Sequence, residues 1–405
     1  MSRGSMFSLF RRNFWQPPRA HGEVIEDRTV SFLELFYDLV YVVVVARAAH
    51  TLAHHIAWRE AGEFAAIFGL IWLAWLNGTT YYDLHGREEG RTRTFVFVQM
   101  MLLALLGVFT GDAAGAGGTG FAIVYTLFLL VLSWMWFTVR QQDSEEYSAL
   151  TARYLSGMAV SVVVMAVSVF LPDGTRMIVW GAFVGTWIVV WVMIERWART
   201  GRDIDFSPTD SLVERFGLFT IIVLGEVVVG VVTGLSEVER NLESVATGTI
   251  GLMIGFGIWW TYFDFVGRRF PQAGRQSLWM AAHLPVVMAI AGSGAAMVGV
   301  IEHAGDDRTP AAAAWLLSGS VAVALLALIA IMWSLSDFER LASIYQPLTR
   351  AMVVAAVAAL AVGWWRPVPW LLALSMVVIL STVWWLAVDR WLRLDDLDDV
   401  RPGGA

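Results

Sequence analysis

SFLELFYDLVYVVVVARAAHTLAHH, residues 31–55, is the stretch that decides the fold class. It is apolar and long enough to enter a bilayer as a helix, because a hydrocarbon core of about 30 Å needs roughly 20 helical residues. It nevertheless contains five titratable groups, Glu34, Asp38, Arg47, His50 and His54. Ionisable groups inside a membrane are costly and mostly mark functional sites, so this stretch predicts both a membrane helix and a site.

The whole chain has the composition of an integral membrane protein. Of its 405 residues, 57% are hydrophobic and only 16% are charged, and the mean hydropathy is +0.62. Cysteine is absent, which excludes disulfides, thiolate metal sites and cysteine nucleophiles. Lysine is absent too, which excludes Schiff-base cofactors and lysine-dependent phosphate loops. We expect a lipid bilayer as partner, no cofactor, and no nucleic acid, because no basic patch is interleaved with aromatics.

Twelve apolar stretches are predicted to span the membrane. They lie near residues 32–55, 64–83, 94–111, 119–139, 154–171, 176–194, 212–234, 245–265, 278–300, 312–334, 350–366 and 369–388. The closely spaced pair 154–171 and 176–194 could instead form one kinked or re-entrant element. The expected fold is an all-α polytopic membrane protein with about 12 transmembrane helices.

The arginines predict the orientation of these helices. Alternate loops and the two tails contain 22 arginines, whereas the opposite face contains five: Arg59, Arg176, Arg240, Arg308 and Arg366. Cytosolic loops are the arginine-rich ones, so both termini are expected in the cytosol. The RRNFW segment at 11–15 is followed by no apolar region, which favours a polar tail over a signal peptide.

An internal repeat is visible where the second and eighth stretches end. TYYDLHGR at 80–87 matches TYFDFVGR at 261–268, and weaker anchors follow in the same order along the chain. We therefore predict two parallel six-helix repeats, an arrangement found in secondary transporters. The predicted divisions are a tail at 1–30, repeats at 31–197 and 211–391, a linker at 198–210, and an acidic tail at 392–405.

Four segments give the chain a family resemblance. They are ELFYDLVYVVVVA at 34–46, ERFGLFTIIVLGEVVVG at 214–230, WWTYFD at 259–264 and HLPVV at 283–287. The chain resembles the bacterial low-temperature-requirement A family over residues 28–390. The resemblance implies a multi-pass protein of the bacterial inner membrane, named for a cold-growth phenotype, without a substrate or a mechanism. Family members usually have a small residue after the LGE motif, where this chain has Val227.

Glu226 and Arg47 are the candidate ion-site residues deepest in the predicted helices. Glu226 lies near the middle of the seventh stretch, and Arg47 lies at nearly the same depth in the first. Their opposite charges and equivalent repeat positions predict that the two side chains meet near mid-membrane. A buried structural ion pair, or a permanently protonated Glu226, is the alternative interpretation.

Other titratable residues of the first stretch form two pairs. Glu34 and Asp38 are four residues apart and share one helical face, which predicts an ion entrance or pairing with an arginine such as Arg215 or one in the 85–93 loop. His50 and His54 have the same spacing and could relay protons or simply pack at the interface. A third metal ligand is not evident, so no metal is expected.

The repeated Asp-x-x-Gly-Arg motifs predict a conformational latch. Asp83 with Arg87, and Asp264 with Arg268, lie where the second and eighth helices end. A carboxylate at a helix C-terminus opposes the helix dipole and needs a cationic partner. Structural anchoring is the equal alternative.

A central pocket is the last site hypothesis. His283 precedes Pro285 in the ninth stretch, and a proline inside a membrane helix frees backbone carbonyls that often line cavities. Tyr262, Trp259 and His283 could line such a pocket, with ordinary aromatic packing as the alternative.

These features favour an ion- or proton-coupled secondary transporter with a charged site between the first and seventh helices and an unidentified small solute or ion as substrate. An ion channel and a non-transporting membrane factor for cold adaptation are the alternatives. An enzyme is not expected, because the sequence shows no metal-ligand cluster, no nucleophile motif and no long soluble catalytic loop. The oligomeric state stays open.

Overall fold

The computed structural model consists of long helices joined by short connections. It describes residues 14–21, 23, 29–87, 89–198 and 208–399, and these contain twelve helices and no β-sheet. The helices are α1 (Phe32–His54), α2 (Trp58–His85), α3 (Gly90–Thr110), α4 (Gly118–Arg140), α5 (Glu145–Ser168), α6 (Asp173–Ala198), α7 (Asp210–Glu237), α8 (Leu242–Phe265), α9 (Gln276–Glu302), α10 (Ala311–Ser334), α11 (Ala342–Trp365) and α12 (Pro369–Asp399).

Each predicted span corresponds to one of these helices, and the stretches at 154–171 and 176–194 are two separate helices, α5 and α6. Among the described helices, 11 are long and apolar enough to cross a membrane. The helix outside that set is α1, which carries Glu34, Asp38 and Arg47. The all-α, multi-pass membrane fold predicted from the sequence is confirmed.

Exposed apolar side chains on the helices fit a lipid environment. On α5, Val160, Val163 and Val167 are more than half exposed, and Phe170 just after the helix is 86% exposed. Soluble monomers rarely expose such contiguous apolar surface, whereas membrane helices present it to lipid.

The described residues fall into two compact units. The first comprises residues within 1–48, 63–185 and 209–215, and the second those within 49–62, 186–208 and 216–405. The start of α7 therefore belongs to the first unit and the remainder of α7 to the second.

In the first unit, α2 lies at the centre. Side chains of α1, α3 and α4 reach it through hydrogen bonds, and Val184 of α6 packs against Gly69. The Tyr125 hydroxyl on α4, for example, donates to the backbone oxygen of Leu70 at 2.9 Å. The polar atoms of this interior are thus distributed around α2.

In the second unit, α9 is buried along almost its whole length. The helix starts where the Glu195 carboxylate accepts hydrogen bonds from the backbone N–H groups of Gln276 (2.8 Å) and Ser277 (3.0 Å). A carboxylate at this position satisfies free N–H groups and complements the helix dipole. Gly230 of α7 lies directly against the backbone of Gly294 on α9, so a Cβ at either position would clash.

The two halves of the predicted repeat are buried differently. In the predicted repeat, α2 corresponds to α8 and α3 corresponds to α9. However, α2 and α9 are the most buried helices of their units, while only a third of the span of α3 and of α8 is buried. The repeat and the domain divisions stay predictions.

Candidate functional site

The carboxylates of Glu34 and Asp38 on α1 meet the guanidinium group of Arg215 on α7. Arg215 donates to Asp38 from Nη2 to Oδ1 at 2.5 Å and from Nε to Oδ2 at 3.1 Å, and its Nη1 lies 3.4 Å from Glu34 Oε1. Arg215 is 0% exposed, Asp38 1% and Glu34 6%. We name these three residues the arginine–carboxylate cluster; all of them belong to the first unit.

Local sequence explains why the two carboxylates point at one guanidinium. Their spacing of four residues places them on one face of α1, and the planar fork of arginine suits a two-point contact with Asp38. The Trp75 indole N–H on α2 donates to Asp38 Oδ1 at 2.9 Å. The orientation of Asp38 is therefore fixed from two helices, α2 and α7.

Glu34 also closes the N-terminus of α1. Its Oε2 accepts from the backbone N–H and the hydroxyl of Ser31, both at 3.0 Å, while the backbone N–H of Glu34 donates to Ser31 Oγ at 3.3 Å. This reciprocal arrangement is a capping box, and Ser-x-x-Glu is its sequence signature. Glu34 thus uses one oxygen for the helix end and the other for Arg215.

Of the interpretations offered for Glu34 and Asp38, the structure contains the pairing with Arg215. An arginine from another helix, distant in sequence, compensates both carboxylates. The ion entrance stays a prediction.

The Asp83 motif, where α2 ends, is held by residues from other segments. The Asp83 carboxylate accepts from the Thr209 hydroxyl at 2.6 Å. The Arg19 guanidinium donates to the backbone oxygens of Asp83 (2.6 Å) and Gly86 (2.9 Å), which satisfies carbonyls at the helix end. Arg87 pairs with Glu23 at 2.7 Å, so the predicted partner of Asp83 is engaged elsewhere.

The corresponding Asp264 motif is built differently. Asp264 accepts from the indole N–H of Trp384 on α12 at 2.7 Å. Within the described part of the chain, no ion pair joins Asp264 to Arg268, and both side chains are exposed. The latch therefore stays a prediction.

A second buried polar group of the first unit surrounds His21. His21 Nδ1 lies 2.8 Å from Asp143 Oδ1, and the Thr151 hydroxyl donates to Asp143 Oδ2 at 2.6 Å. Asp143 lies in the connection between α4 and α5, outside the membrane-spanning segments. Burial raises the pKa of Asp143, but the hydrogen bonds from Thr151 and His21 lower it more, so its pKa lies below the usual range.

Tyr262 and His283 are brought together in the second unit. The Tyr262 hydroxyl lies 3.1 Å from His283 Nε2, and His283 Nδ1 lies 2.7 Å from the backbone oxygen of Trp279. A carbonyl oxygen only accepts, so Nδ1 carries the proton and Tyr262 donates to Nε2. Trp259, the third predicted pocket residue, is 40% exposed and packs on Phe263 instead.

Glu226 is buried near the middle of α7, with 5% of its surface exposed. Its backbone oxygen lies against Gly294 of α9. Among the described residues its side chain is in no ion pair. A carboxylate in this environment is costly as an anion and takes a proton or a cation most readily.

Arg47 and the two histidines of α1 lie on an exposed face of the helix. A Cβ at Gly111, which follows α3, would be 2.7 Å from Arg47 Nη2, so the guanidinium reaches the C-terminal end of that helix, where the dipole favours a cation. His50 Nε2 and His54 Nε2 are 2.9 Å apart. Arg47 and Glu226 belong to different units, so their meeting stays a prediction.

A metal centre has no set of ligands in the part of the chain that the structure describes, because no three His, Asp or Glu side chains are grouped to hold an ion. Sequence reasoning missed the roles of Arg19, His21 and Asp143. The contacts of Arg19 with Asp83 and of His21 with Asp143 join residues more than 60 positions apart along the chain, and no periodic pattern signals such contacts.

The comparisons with known proteins agree with this architecture. Residues 29–386 match the model of the bacterial low temperature requirement A protein (LtrA) family. The chain belongs to this family. It is also 25% identical over 284 residues to an uncharacterized protein of Rhizobium meliloti (strain 1021), an alignment that covers 65% of this chain and 68% of the relative. No solved structure matches the chain.

Proposed function

We propose that this LtrA-family protein is an ion- or proton-coupled secondary transporter, and that the arginine–carboxylate cluster between α1 and α7 is its charged site. The observation that carries the proposal is the complete burial of Arg215 against two carboxylates of another helix. Buried ion pairs contribute little net stability, since desolvation costs about as much as the pairing gains. Ionisable residues inside membrane proteins mostly serve ion or substrate pathways.

The cluster has a means of responding to an ion. Arg215 contacts Asp38 through two N–H groups and Glu34 through one, at a longer distance. Binding of a proton or a cation at one carboxylate weakens its hold on Arg215 and favours the other. Such a change of partner would move the N-terminal end of α7 relative to α1, which is the element of movement that coupled transport needs.

Glu226, with Tyr262 and His283, forms a second proposed site. Glu226 is a buried carboxyl group on α7, and Tyr262 and His283 form a buried hydrogen bond between α8 and α9. Both features lie in the second unit. We expect an ion or a proton to use this carboxyl group as well. We place both termini in the cytosol and the protein in the bacterial inner membrane.

Reconstitution in proteoliposomes tests the function. The purified protein is given a panel of ion and pH gradients, and flux is measured with ion-sensitive dyes. We expect saturable, slow flux that Asp38→Asn abolishes and that Asp306→Asn, in an exposed connection, leaves unchanged. A large conductive current would instead identify a channel, and absence of flux for every gradient would favour the non-transporting cold factor.

A further inference from the structure

Polar side chains continue from the cluster along the facing surfaces of α1 and α2. On α1, Tyr37 and Tyr41 are one turn apart and their hydroxyls are 3.1 Å from each other. On α2, Trp72, Trp75 and Thr79 share one helical face, because they are spaced by three and four residues. Trp75 is the residue that donates to Asp38, so this face is the one turned toward the cluster.

Two atoms of this face are buried without a hydrogen-bond partner among the described residues. They are the indole Nε1 of Trp72 and the hydroxyl of Thr79, and both residues are 0% exposed. Native proteins leave few buried polar groups unsatisfied, and ordered water is their commonest hidden partner. A helical threonine usually bonds the carbonyl one turn earlier, as Thr110 does with Leu106 at 2.8 Å, but Thr79 makes no such bond.

The neighbouring groups could hold water in this place. Tyr37 packs its ring edge-on to Tyr82 with centroids 5.8 Å apart, and Tyr82 donates to Gln99 Oε1 at 2.7 Å. Gln99 Nε2 contacts the sulfur of Met135, a weak acceptor, at 3.7 Å. Gly78 of α2 has no side chain, and the Tyr37 hydroxyl lies at the place that a Cβ of residue 78 would occupy.

We propose that ordered water binds between α1 and α2 at Trp72 and Thr79, and that it joins Tyr37 and Tyr41 in a hydroxyl relay that carries protons to and from Asp38. This inference rests on the proposed function and names the proton as its coupling ion. The oxygens of Asp38 already accept from Arg215 and Trp75, and hydroxyl and indole donors beside a guanidinium are poor ligands for a metal cation. Neutral hydroxyls and water instead pass protons along without binding an ion.

Radiolytic hydroxyl-radical footprinting with mass spectrometry tests the water site without any transport assay. Radicals formed from bound water label side chains beside it even when these are buried. We expect Trp72, Tyr37 and Tyr41 to be labelled about tenfold faster than Trp180, a residue of the same unit whose Nε1 donates to the Ser168 hydroxyl at 3.0 Å. Equal, slow labelling of Trp72 and Trp180 would overturn the inference whether or not the protein transports ions.

The sign of a thermal shift gives a second test. If Thr79 binds water, Thr79→Val removes a hydrogen bond and lowers the melting temperature. If the site is dry, the same change removes an unsatisfied hydroxyl and raises the melting temperature, which contradicts the proposal. Thr110→Val, at a buried threonine with its own backbone bond, is the matched control.

Proton flux separates the relay from the transport function. In proteoliposomes that show flux, Tyr37→Phe and Tyr41→Phe should each lower proton flux at least about tenfold, a loss of about 1.4 kcal/mol at the transition state, while Tyr125→Phe leaves it unchanged. Unaltered flux in both variants would reject the relay and leave the transporter standing. Fast labelling of Trp72 without any flux would support the water site and reject the transporter.

Discussion

Arg215 lies fully buried against two carboxylates of another helix, so its removal alters more than one contact. Asp38 depends on it for hydrogen bonds to both oxygens, while Glu34 keeps its capping contacts with Ser31. At the scale of single residues, loss of Arg215 therefore leaves the two buried carboxylates with the full cost of their desolvation.

We predict that Arg215→Ala lowers the free energy of unfolding by about 3–5 kcal/mol, because it leaves buried carboxylates uncompensated. The double variant Asp38→Asn with Arg215→Gln should lose less, since two neutral amides can bond each other. Denaturant unfolding in detergent micelles measures both, with Arg308→Ala, an exposed arginine, as control. Equal losses in the single and double variants would show that Arg215 acts by packing and not by charge.

The buried carboxyl of Glu226 leads to a different expectation. Glu226→Gln keeps the shape of a side chain that, in the described structure, is in no ion pair. The free energy of unfolding should therefore fall by less than about 1 kcal/mol, while any proton-coupled transport is abolished. Unfolding and proteoliposome flux are measured on the same preparation, beside the exposed control Glu243→Gln. Retained flux with the original pH dependence would remove Glu226 from the pathway.

At the scale of elements, the N-terminal residues Arg19 and His21 pack across the end of α2. Arg19 donates to carbonyls at that helix end, and His21 contacts Asp143 in the α4–α5 connection. His85 of α2 and Tyr147 of α5 also face the His21 ring. Arg19 and His21 thus fasten α2 to α5 within the first unit.

This contact should be lost in acid. The pKa of Asp143 is lower in the folded protein than in the unfolded chain, so its stabilising effect is complete above the unfolded value, about 3.9, and disappears as pH falls through the folded value. Because the chain has no cysteine, Gln16→Cys can carry a single spin label. Its mobility should rise below about pH 4.

In the same labelled protein, Asp143→Asn should raise mobility at neutral pH and remove the acid transition. Asp112→Asn, in the exposed connection between α3 and α4, is the control. If Asp143→Asn left the mobility of the label at neutral pH unchanged, this would contradict the role assigned to Asp143.

The elements show how far sequence reasoning reaches in this protein. All twelve helices were predictable, because each contains an apolar run of membrane length. Their ends were not: α5 begins at Glu145 and α11 at Ala342, well before the apolar stretches, since helical hydrogen bonding continues where hydropathy falls. The spacing of Glu34 and Asp38 predicted a shared face, whereas the choice of Arg215 over the loop arginines depends on packing that no local pattern encodes.

At the scale of the whole molecule, the topology depends on α1. Its 23 residues are about 35 Å long at 1.5 Å per residue, enough to span the bilayer, although they include Glu34, Asp38 and Arg47. Glu34 and Asp38 are compensated by Arg215 near one end, and Arg47 reaches the end of α3 near the other. These contacts lower the cost of placing the charges of α1 in a membrane.

We therefore predict twelve crossings with both termini on the cytosolic side, as the arginine distribution requires. Alkaline phosphatase fused after Ala57, in the α1–α2 connection, should be active, and so should a fusion after Asp306, in the α9–α10 connection. Fusions after Gln272 or at the C-terminus should be inactive, while green fluorescent protein at these two positions should fluoresce. If α1 did not cross, a reporter at the N-terminus would lie on the same side as one after Ala57. Only a spanning α1 gives both a bright fluorescent fusion at the N-terminus and an active phosphatase fusion after Ala57.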